Sequence, residues 1–263
     1  MRFVKMHGCG NDFIVINNLE EHIAEDKFTP LAQLLCQRKT AIGADGIIFL
    51  DEADGGGDFK MIFYNADGSR GEMCGNGARC LARYAFEKGL AKDKMIIETD
   101  AGQVEAERLE ENLYKIRLNK PQGIKEYEDC TYLEIGKPGV PHIVTSCEGL
   151  QYEDIEGLKE RAKKLRYDKR FTKGTNVNFY DITGEDEIKA ITYERGVEDF
   201  TMACGSGMCA VATALKIKNL MKGRTLTAFN PGGKLEVIID KEDVFLVGIA
   251  TVIAEGEILL TLS

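Results

Sequence analysis

Two buried helices with similar starts dominate the pattern of apolar and polar positions along the chain. The second spans residues 208–215, which are almost all small or apolar and therefore predict a helix buried on every side. Gly89 is placed to end the first helix, and Gly223 the second, so the second helix is expected to be the longer. The first helix shows the three- and four-residue spacing of one buried face, at Ala78, Leu81, Ala82, Ala85 and Phe86.

Strand patterns flank both helices in the same order. Residues 61–64 precede the first helix and residues 188–193 the second, and both runs are rich in β-branched and aromatic side chains. After each helix comes a glycine turn, at residues 100–102 and 231–233. A predicted strand hairpin then follows in each half, with its turn at residues 110–112 or 241–243. Most strands are therefore expected to be joined as hairpins.

A repeated Cys-Gly-x-Gly motif marks the start of both helices, at residues 74–77 and 204–207, 130 positions apart. This repeat predicts a duplicated α+β fold with two pseudo-symmetric domains, each an antiparallel or mixed sheet wrapped round a central apolar helix. We expect an N-terminal domain over residues 1–119, completed by the last strands in residues 251–263. The C-terminal domain is expected over residues 120–250.

The second copy also fits a loose dinucleotide-binding pattern, G-x-G-x-x-A, over residues 205–210. The nearest predicted strand ends some ten residues earlier, and no parallel strand–helix–strand unit is expected there. The dinucleotide interpretation is therefore set aside.

Charge and composition narrow the function. The chain has 263 residues, 44% of them hydrophobic, with a formal net charge of −9. Such an acidic chain is poorly suited to bind nucleic acid, which requires clustered cations. No apolar run approaches the length of a membrane span, and the first residues lack the apolar segment of a signal peptide. The sequence predicts a soluble cytoplasmic protein with no membrane partner.

The eight cysteines do not follow the spacing of a metal site. No Cys-x-x-Cys pair is present and the chain has only three histidines, so no metal is expected. Disulfides are not expected in a reducing compartment. Cys80 and Cys209 lie within the apolar helices and are predicted to be core residues. No role is assigned to the remaining cysteines outside the repeated motif, Cys9, Cys36, Cys130 and Cys147.

The repeated motif places a thiol at each helix N-terminus, where unpaired N–H groups and the helix dipole favour negative charge. Cys74 and Cys204 are therefore expected to be acidified. The neighbouring N–H groups can hold a carboxylate, and the glycines allow it to approach. Inversion of a stereocentre by proton transfer needs a base on one face of the carbon and an acid on the other. Two similar thiols could supply both.

The chain resembles the diaminopimelate epimerase family, within the cofactor-independent two-cysteine amino-acid racemases. The resemblance implies two pseudo-symmetric domains that close over the substrate, no pyridoxal phosphate or other cofactor, and a homodimer. It extends over nearly the whole chain, in ordered blocks at residues 5–13, 43–46, 64–69, 73–80, 175–177, 193–197, 203–207 and 231–233.

The family's catalytic roles can be carried over residue by residue. The resemblance implies that Cys74 and Cys204 form the acid/base pair. It also implies that His142 and Glu194 help to set the protonation of the thiols. Considered without the resemblance, His142 could equally be a loop histidine and Glu194 part of a surface ion pair.

The resemblance also implies two substrate-binding sets. One holds the carboxylate of the reacting centre, with Asn11 nearby, and consists of Gly75, Asn76, Gly205 and Ser206. The other grips the distal amino-acid group and consists of Asn65, Asn176, Glu194 and Arg195. The asparagines at positions 11 and 65 could otherwise be read as turn residues.

Two departures from the common family pattern bear on the substrate. Val140 stands two residues before His142 where many members have an Asn that touches the distal carboxylate. The link at residues 197–201 is one residue longer than usual and less rich in glycine.

The resemblance implies an isomerase that interconverts LL- and meso-diaminopimelate in lysine and peptidoglycan synthesis. One alternative is a racemase of another polar amino acid, such as histidine, that uses the same cysteines. The other is a non-catalytic amino-acid-binding or thiol-redox protein.

Overall fold

Strands make up most of the regular structure in the computed structural model, which describes residues 1–136, 139–152 and 155–259. Among these residues, no helix is long and apolar enough to cross a membrane. A short 3-10 helix at Glu25–Lys27 accompanies five α-helices: α1 Asn18–Glu21, α2 Phe28–Leu35, α3 Gly75–Glu87, α4 Glu156–Arg166 and α5 Gly205–Ile217. The strands are β1 Arg2–Gly8, β2 Asn11–Asn17, β3 Gly46–Asp51, β4 Phe59–Asn65, β5 Arg70–Gly71, β6 Lys94–Thr99, β7 Gly102–Arg108, β8 Leu113–Leu118, β9 Pro121–Glu126, β10 Thr131–Ile135, β11 Val140–Ser146, β12 Asn176–Gly184, β13 Glu187–Glu194, β14 Asp199–Thr201, β15 Thr225–Asn230, β16 Gly233–Asp240, β17 Asp243–Ile249 and β18 Thr251–Glu257.

The chain divides into two compact units. One comprises Met1–Ile116 together with the residues from Gly248 onward, and the other comprises Arg117–Val247. The divisions fall within β8 and β17. The sequence placed each division three residues later, after 119 and after 250. Residues 260–263 of the predicted C-terminal return lie outside the described residues.

The first unit has a mixed sheet. β18, β1 and β2 pair antiparallel in that order, and β2 then runs parallel to β3. β3 pairs antiparallel with β4, and β4 runs parallel to β6. β6, β7 and β8 complete an antiparallel meander. Helix α3 packs on β1, β2 and β7.

The second unit repeats this topology. β9, β10 and β11 pair antiparallel, and β11 runs parallel to β12. β12 pairs antiparallel with β13, β13 runs parallel to β15, and β15 pairs antiparallel with β16. Helix α5 packs on β10, β11, β12 and β16. The predicted duplicated α+β fold is therefore confirmed.

The parallel pairings correct one expectation. In each unit a helix lies between two parallel strands, α3 between β4 and β6 and α5 between β13 and β15. A short strand, β5 or β14, separates the first strand from the helix and pairs back on that strand. Because of this intervening strand, the parallel crossovers were not recognised in the sequence, which predicted mainly hairpins and no parallel unit.

The ends of the two helices correct a second expectation, because α3 and α5 both contain 13 residues. Gly89 ends the first in the left-handed region, with φ +71°, and its N–H donates to the carbonyl of Phe86. Asn219 has the same role in the second, with φ +56° and a bond to the carbonyl of Lys216. Asn tolerates this conformation better than most residues. The prediction that α5 continues towards Gly223 was therefore wrong.

Burial of the helices agrees with their apolar patterns. The predicted apolar face of α3 is buried except at Phe86, which is half-buried, and most of α5 is enclosed. Cys80 and Cys209 have no exposed surface, as expected of core residues. One residue on α3 was not expected in the core: the guanidinium side chain of Arg79, which is fully buried.

Candidate active site

Cys74 and Cys204 occupy the same position in their two units, as the N-cap residues of α3 and α5. Both have extended backbones, with φ −133° and ψ 118° at Cys74 and φ −122° and ψ 107° at Cys204. The carbonyl of each cysteine accepts the first helical hydrogen bond, from Ala78 at 2.8 Å or Met208 at 3.0 Å. The thiols therefore sit where the helix N–H groups converge.

The second glycine of each motif lets the helix start lie close to its sheet. A Cβ atom on Gly77 would come within 2.9 Å of the Ile48 side chain. On Gly207 it would lie only 2.2 Å from Oδ1 of Asn178 and 2.9 Å from Oγ1 of Thr192. Real Cβ contacts are longer than these, so glycine is required at both positions by packing.

Two asparagine amides surround the half-buried thiol of Cys74. The Sγ atom lies 3.6 Å from Oδ1 of Asn11, and the same oxygen accepts a bond from Nδ2 of Asn76 at 3.2 Å. Oδ1 of Asn76 in turn accepts from Nη2 of Arg79 at 3.0 Å. Nδ2 of Asn11 donates to Oδ2 of Asp45 at 2.8 Å. These residues form a continuous polar chain beside the thiol.

The surroundings of Cys204 favour its protonated form. Burial raises the pKa of this thiol well above its usual value, and the negative charge of Glu194 raises it further. Bonds from Ser206 and from the N–H of Gly207 act in the opposite direction but are weaker. The expectation that the helix terminus acidifies Cys204 was therefore wrong, because the desolvation of a buried thiolate outweighs the helix N–H groups.

Glu194 ends β13 and is held by the neighbouring strand. Its Oε1 accepts a bond from Oγ1 of Thr201 at 2.7 Å. Thr201 ends β14 and pairs with Thr192 of β13. The link over residues 197–201 therefore contributes a side chain that fixes a carboxylate acting on the thiol.

Arg195 and Asn176 are joined through the backbone. The N–H of Arg195 donates to Oδ1 of Asn176 at 2.8 Å, and its Nη1 donates to the carbonyl of Lys173 at 2.9 Å. Asn176 is buried, whereas Arg195 is exposed. Asn176 also lies beside His142 in the parallel pairing of β11 and β12. These contacts bring three of the predicted site residues together in the second unit.

His142 is buried and neutral. Burial, with a smaller contribution from the charge of Arg195, lowers the pKa of its imidazole to about 3. Its Nδ1 lies 3.2 Å from Nδ2 of Asn178, which also donates to the carbonyl of Ile143 at 2.8 Å. A carbonyl only accepts, so the Asn178 NH₂ group faces His142, and Nδ1 must be the acceptor. The proton is then on Nε2, which has no hydrogen-bond partner among the described residues.

Sequence comparison assigns the chain to a family. The family model described as diaminopimelate epimerase matches residues 3–122 and 136–253. The chain belongs to the diaminopimelate epimerase family. It is 36% identical to the diaminopimelate epimerase of Aquifex aeolicus, with 98% of each chain covered. It is 37% identical to that of Methanocella arvoryzae, with 98% of this chain and 96% of the relative covered.

Solved structures agree in fold. A phenazine biosynthesis protein of the PhzF family from Bacillus anthracis matches with a TM-score of 0.74 at 13% identity, over 99% of both chains. A probable proline racemase from Agrobacterium radiobacter matches with a TM-score of 0.72 at 14% identity, over 99% of this chain and 93% of that one. The architecture of the diaminopimelate epimerase family is thus shared with distant sequences.

The remaining family positions are placed at strand and helix ends. Asn65 ends β4, where its Nδ2 donates to Oγ of Ser69 at 3.0 Å. Gly75 and Gly205 are the first residues of their helices, and Ser206 follows with its Oγ 3.6 Å from Sγ of Cys204. Within the first unit, Asn11 and Asn76 share a cluster with Cys74, whereas the contacts of Asn65 are with its own turn.

The sequence interpretation missed four polar residues of the site: Asp45, Arg79, Asn178 and Thr201. Each contacts a predicted site residue. Asp45 and Arg79 both lie in family blocks, at residues 43–46 and 73–80, which was a usable signal. Charged residues on helices and polar residues on strands are, however, usually surface positions. Among the described residues, no group of three or more His, Cys, Asp or Glu is arranged to hold a metal.

Proposed function

We propose that this protein inverts the configuration at the α-carbon of diaminopimelate by proton transfer between Cys74 and Cys204. The observation that carries the proposal is the equivalent placement of the two thiols as N-caps of repeated helices. One thiolate takes the α-proton, and the other thiol gives its proton to the opposite face of the carbon. The step balances with the two thiols alone, so the proposal includes no cofactor.

The surroundings of Cys204 support an assignment of roles within the pair. Burial and the charge of Glu194 favour the protonated form of Cys204. We therefore assign Cys204 as the acid when the reaction begins, which leaves the role of base to Cys74. The transfer leaves Cys74 protonated and Cys204 ionised, which is the state required for the reverse reaction. Glu194 thus assists catalysis by setting the state of Cys204, and the family resemblance implies an assisting role for His142 as well.

The helix starts supply the donors that this chemistry needs. An amino-acid α-proton is far less acidic than a thiol, so the carbanion must be stabilised by fixed donors and by exclusion of water. We assign the N–H groups of Gly75, Asn76, Gly205 and Ser206 to the substrate carboxylate, with the amide of Asn11 beside them. Glycine at the first helical position leaves room for the carboxylate to approach.

The substrate assignment rests on the distal group. Diaminopimelate carries a second amino-acid centre, which requires donors for a carboxylate and an acceptor for an ammonium group. Arg195, Asn65 and Asn176 can donate, and Glu194 can accept. The two curated relatives named above, which share over a third of their aligned residues with this chain, are diaminopimelate epimerases.

Val140 favours a second candidate, a racemase of another polar amino acid such as histidine. It begins β11 and offers no side-chain donor to a distal carboxylate. One neutral hydrogen bond is worth roughly 0.5–1.5 kcal/mol, or about tenfold at most in binding. The charged contacts that remain outweigh this loss, so diaminopimelate is the preferred assignment.

Incorporation of deuterium at Cα in D₂O tests the function directly. The purified protein is incubated with LL-diaminopimelate, histidine, lysine or glutamate, and exchange is followed by mass spectrometry. We expect exchange on diaminopimelate to be faster by a wide margin. Faster exchange on histidine would refute the substrate and retain the thiol chemistry, whereas no exchange on any amino acid would refute both.

A homodimer is also proposed, on the family resemblance alone. Size-exclusion chromatography with light scattering measures the mass in solution, and the monomer mass of 29.2 kDa would contradict the proposal. The cytoplasmic location stays a prediction of the sequence.

A further inference from the structure

Arg79 is a buried cation whose polar contacts in the described structure are all to uncharged groups. The residue has no exposed surface. Its Nη2 lies 3.0 Å from Oδ1 of Asn76 and 3.9 Å from Sγ of Cys9. Its Nε and Nη1 have no hydrogen-bond partner among the described residues. A buried charge without an opposite charge is energetically costly.

Neighbouring groups leave little free space around this guanidinium. A Cβ atom on Gly8 would come within 3.0 Å of Nη2 of Arg79 and 3.2 Å of the Asn76 carbonyl oxygen. The buried thiols of Cys9 and Cys80 lie in its electrostatic field: burial raises the pKa of both, and the charge of Arg79 lowers it. Arg79 is therefore held at a defined place beneath the start of α3.

The groups at the two ends of the polar chain fix the orientation of both amides. A guanidinium only donates hydrogen bonds, so Asn76 must turn its oxygen towards Arg79 and its NH₂ group towards Asn11. A carboxylate only accepts, so Asn11 must turn its NH₂ group towards Asp45. The carbonyl oxygen of Asn11 is left facing Cys74. Neither amide can flip without losing a charge-assisted bond.

The second unit has no equivalent of this cation at the matching position. The residue 130 positions after Arg79 is Cys209, which is also fully buried. The polar groups beneath α5 are instead the neutral His142 and Asn178, and the thiol there is influenced by the carboxylate of Glu194. The polar chain beside Cys74 thus ends in a buried cation, Arg79, and in the carboxylate of Asp45, whereas a carboxylate acts on the thiol of Cys204.

We propose that Arg79 is a positioning residue that holds the Asn76 and Asn11 amides in one orientation and supplies a fixed positive charge to the surroundings of the Cys74 thiol. This inference rests on the proposed function, since it concerns the base of that reaction. The charge acts on whichever anion forms there, the thiolate of Cys74 or the bound carboxylate. The amides of Asn76 and Asn11 act by keeping the Cys74 thiol at a fixed position relative to the N–H groups that bind the carboxylate.

Two substitutions separate the charge from the hydrogen bond. Arg79→Gln retains an N–H donor for Asn76 but removes the charge, whereas Arg79→Lys keeps the charge and loses the planar fork. Arg83→Gln is the matched control, because Arg83 lies one turn along the same helix and is bonded to Glu87 at 2.7 Å and to the carbonyl of Ala250 at 2.6 Å. Arg83→Gln also removes one positive charge from α3, but at a position further from Cys74.

The readout is the pH dependence of Cys74 alkylation by iodoacetamide, followed by peptide mass spectrometry, with kcat and KM measured on the same samples. With Arg79→Gln we expect the alkylation midpoint of Cys74 to rise by about one pH unit, as loss of a nearby opposite charge implies. We also expect kcat at neutral pH to fall roughly tenfold or more, with a smaller change in KM. Arg79→Lys should keep the midpoint near that of the parent and lower kcat.

An unchanged Cys74 midpoint in folded Arg79→Gln protein would overturn the charge assignment, as would a shift of equal size in Arg83→Gln. If Arg79→Gln does not fold, Asp45→Asn tests the other end of the chain, because Asp45 is a partly exposed side chain that can be replaced isosterically. Its kcat should fall with an unchanged melting temperature, and a parental kcat would refute the positioning role. The alkylation titration needs no substrate, so it remains decisive even if the protein does not act on diaminopimelate.

Discussion

His142 and Asn178 are joined by a hydrogen bond that fixes the imidazole tautomer, with Nδ1 of His142 accepting at 3.2 Å. Thr192 donates to Oδ1 of the same amide at 2.9 Å, which holds it from the other side. The proton of the imidazole is thereby placed on Nε2, in a buried environment. The second unit carries this pair where the first unit packs apolar side chains, since Ile48 and Asn178 lie against equivalent glycines of the two motifs.

The first prediction concerns this tautomer. Because burial lowers the pKa of His142 to about 3, its imidazole should stay neutral from pH 8 down to pH 5. Nitrogen-15 NMR of histidine-labelled protein should show one imidazole with an unprotonated Nδ1 and a protonated Nε2 over that range. Asn178→Ile removes the donor and should yield a mixture of tautomers. A His142 signal that titrates near pH 6.5 would contradict the assignment.

The second prediction separates the N-cap thiols from the core thiols. Cys74→Ala and Cys204→Ala should each lower kcat by about 10²–10⁴-fold, which is the usual contribution of a general acid or base. Both variants should leave the fold intact. Cys80→Ala and Cys209→Ala are the controls, since both residues are fully buried and lie inside the helices. They should reduce stability modestly and retain exchange activity. Near-parental racemisation in either N-cap variant would contradict the two-base proposal.

The third prediction concerns oxidation. If both thiols serve one carbon, they must approach each other in the reacting enzyme, so mild oxidation should join Cys74 to Cys204 and abolish activity. A dithiol should restore it. Peptide mapping under non-reducing conditions identifies the pair. A disulfide between Cys74 and any other cysteine, with none to Cys204, would count against a shared substrate carbon.

The fourth prediction concerns the distal group of the substrate. Arg195→Lys keeps the charge but removes the planar fork that binds a carboxylate in two places. We expect the KM for diaminopimelate to rise roughly tenfold or more, in line with the loss of a charge-assisted bond, with a smaller effect on kcat. Arg224→Lys, an exposed residue paired with Asp240, is the control. An unchanged KM in Arg195→Lys would remove this residue from the substrate site.

The sequence predicted the repeated unit well because its signals are local. The helix starts at Cys74 and Cys204 and the strands before them follow from residue spacing and type, and all are present. The end of α5 was misplaced because Asn219, unlike Gly89, gives no clear sign of a left-handed backbone. The parallel pairings were missed because they join strands distant in sequence.

The electrostatics of the site could not be predicted from spacing. A helix N-terminus favours a thiolate, but the depth of burial and the nearby Glu194 decide the outcome at Cys204, and both depend on tertiary structure. For the same reason the sequence did not indicate that Arg79 is buried. Charged side chains on helices are usually exposed, and only the packing of α3 shows that this one is enclosed.

The unequal surroundings of the two N-cap thiols have a kinetic consequence. The equilibrium constant between two stereoisomers is a property of the substrates, so no arrangement of charges around Cys74 and Cys204 can alter it. Unequal thiols instead decide which stereoisomer meets the resting protein in its reactive protonation state. The other stereoisomer must wait for the protons to be redistributed, either by turnover or by exchange with water. For a proton transfer between these two residues, the ratio of kcat/KM values is therefore fixed, whereas the substrate concentration at which each direction saturates is set by the protein.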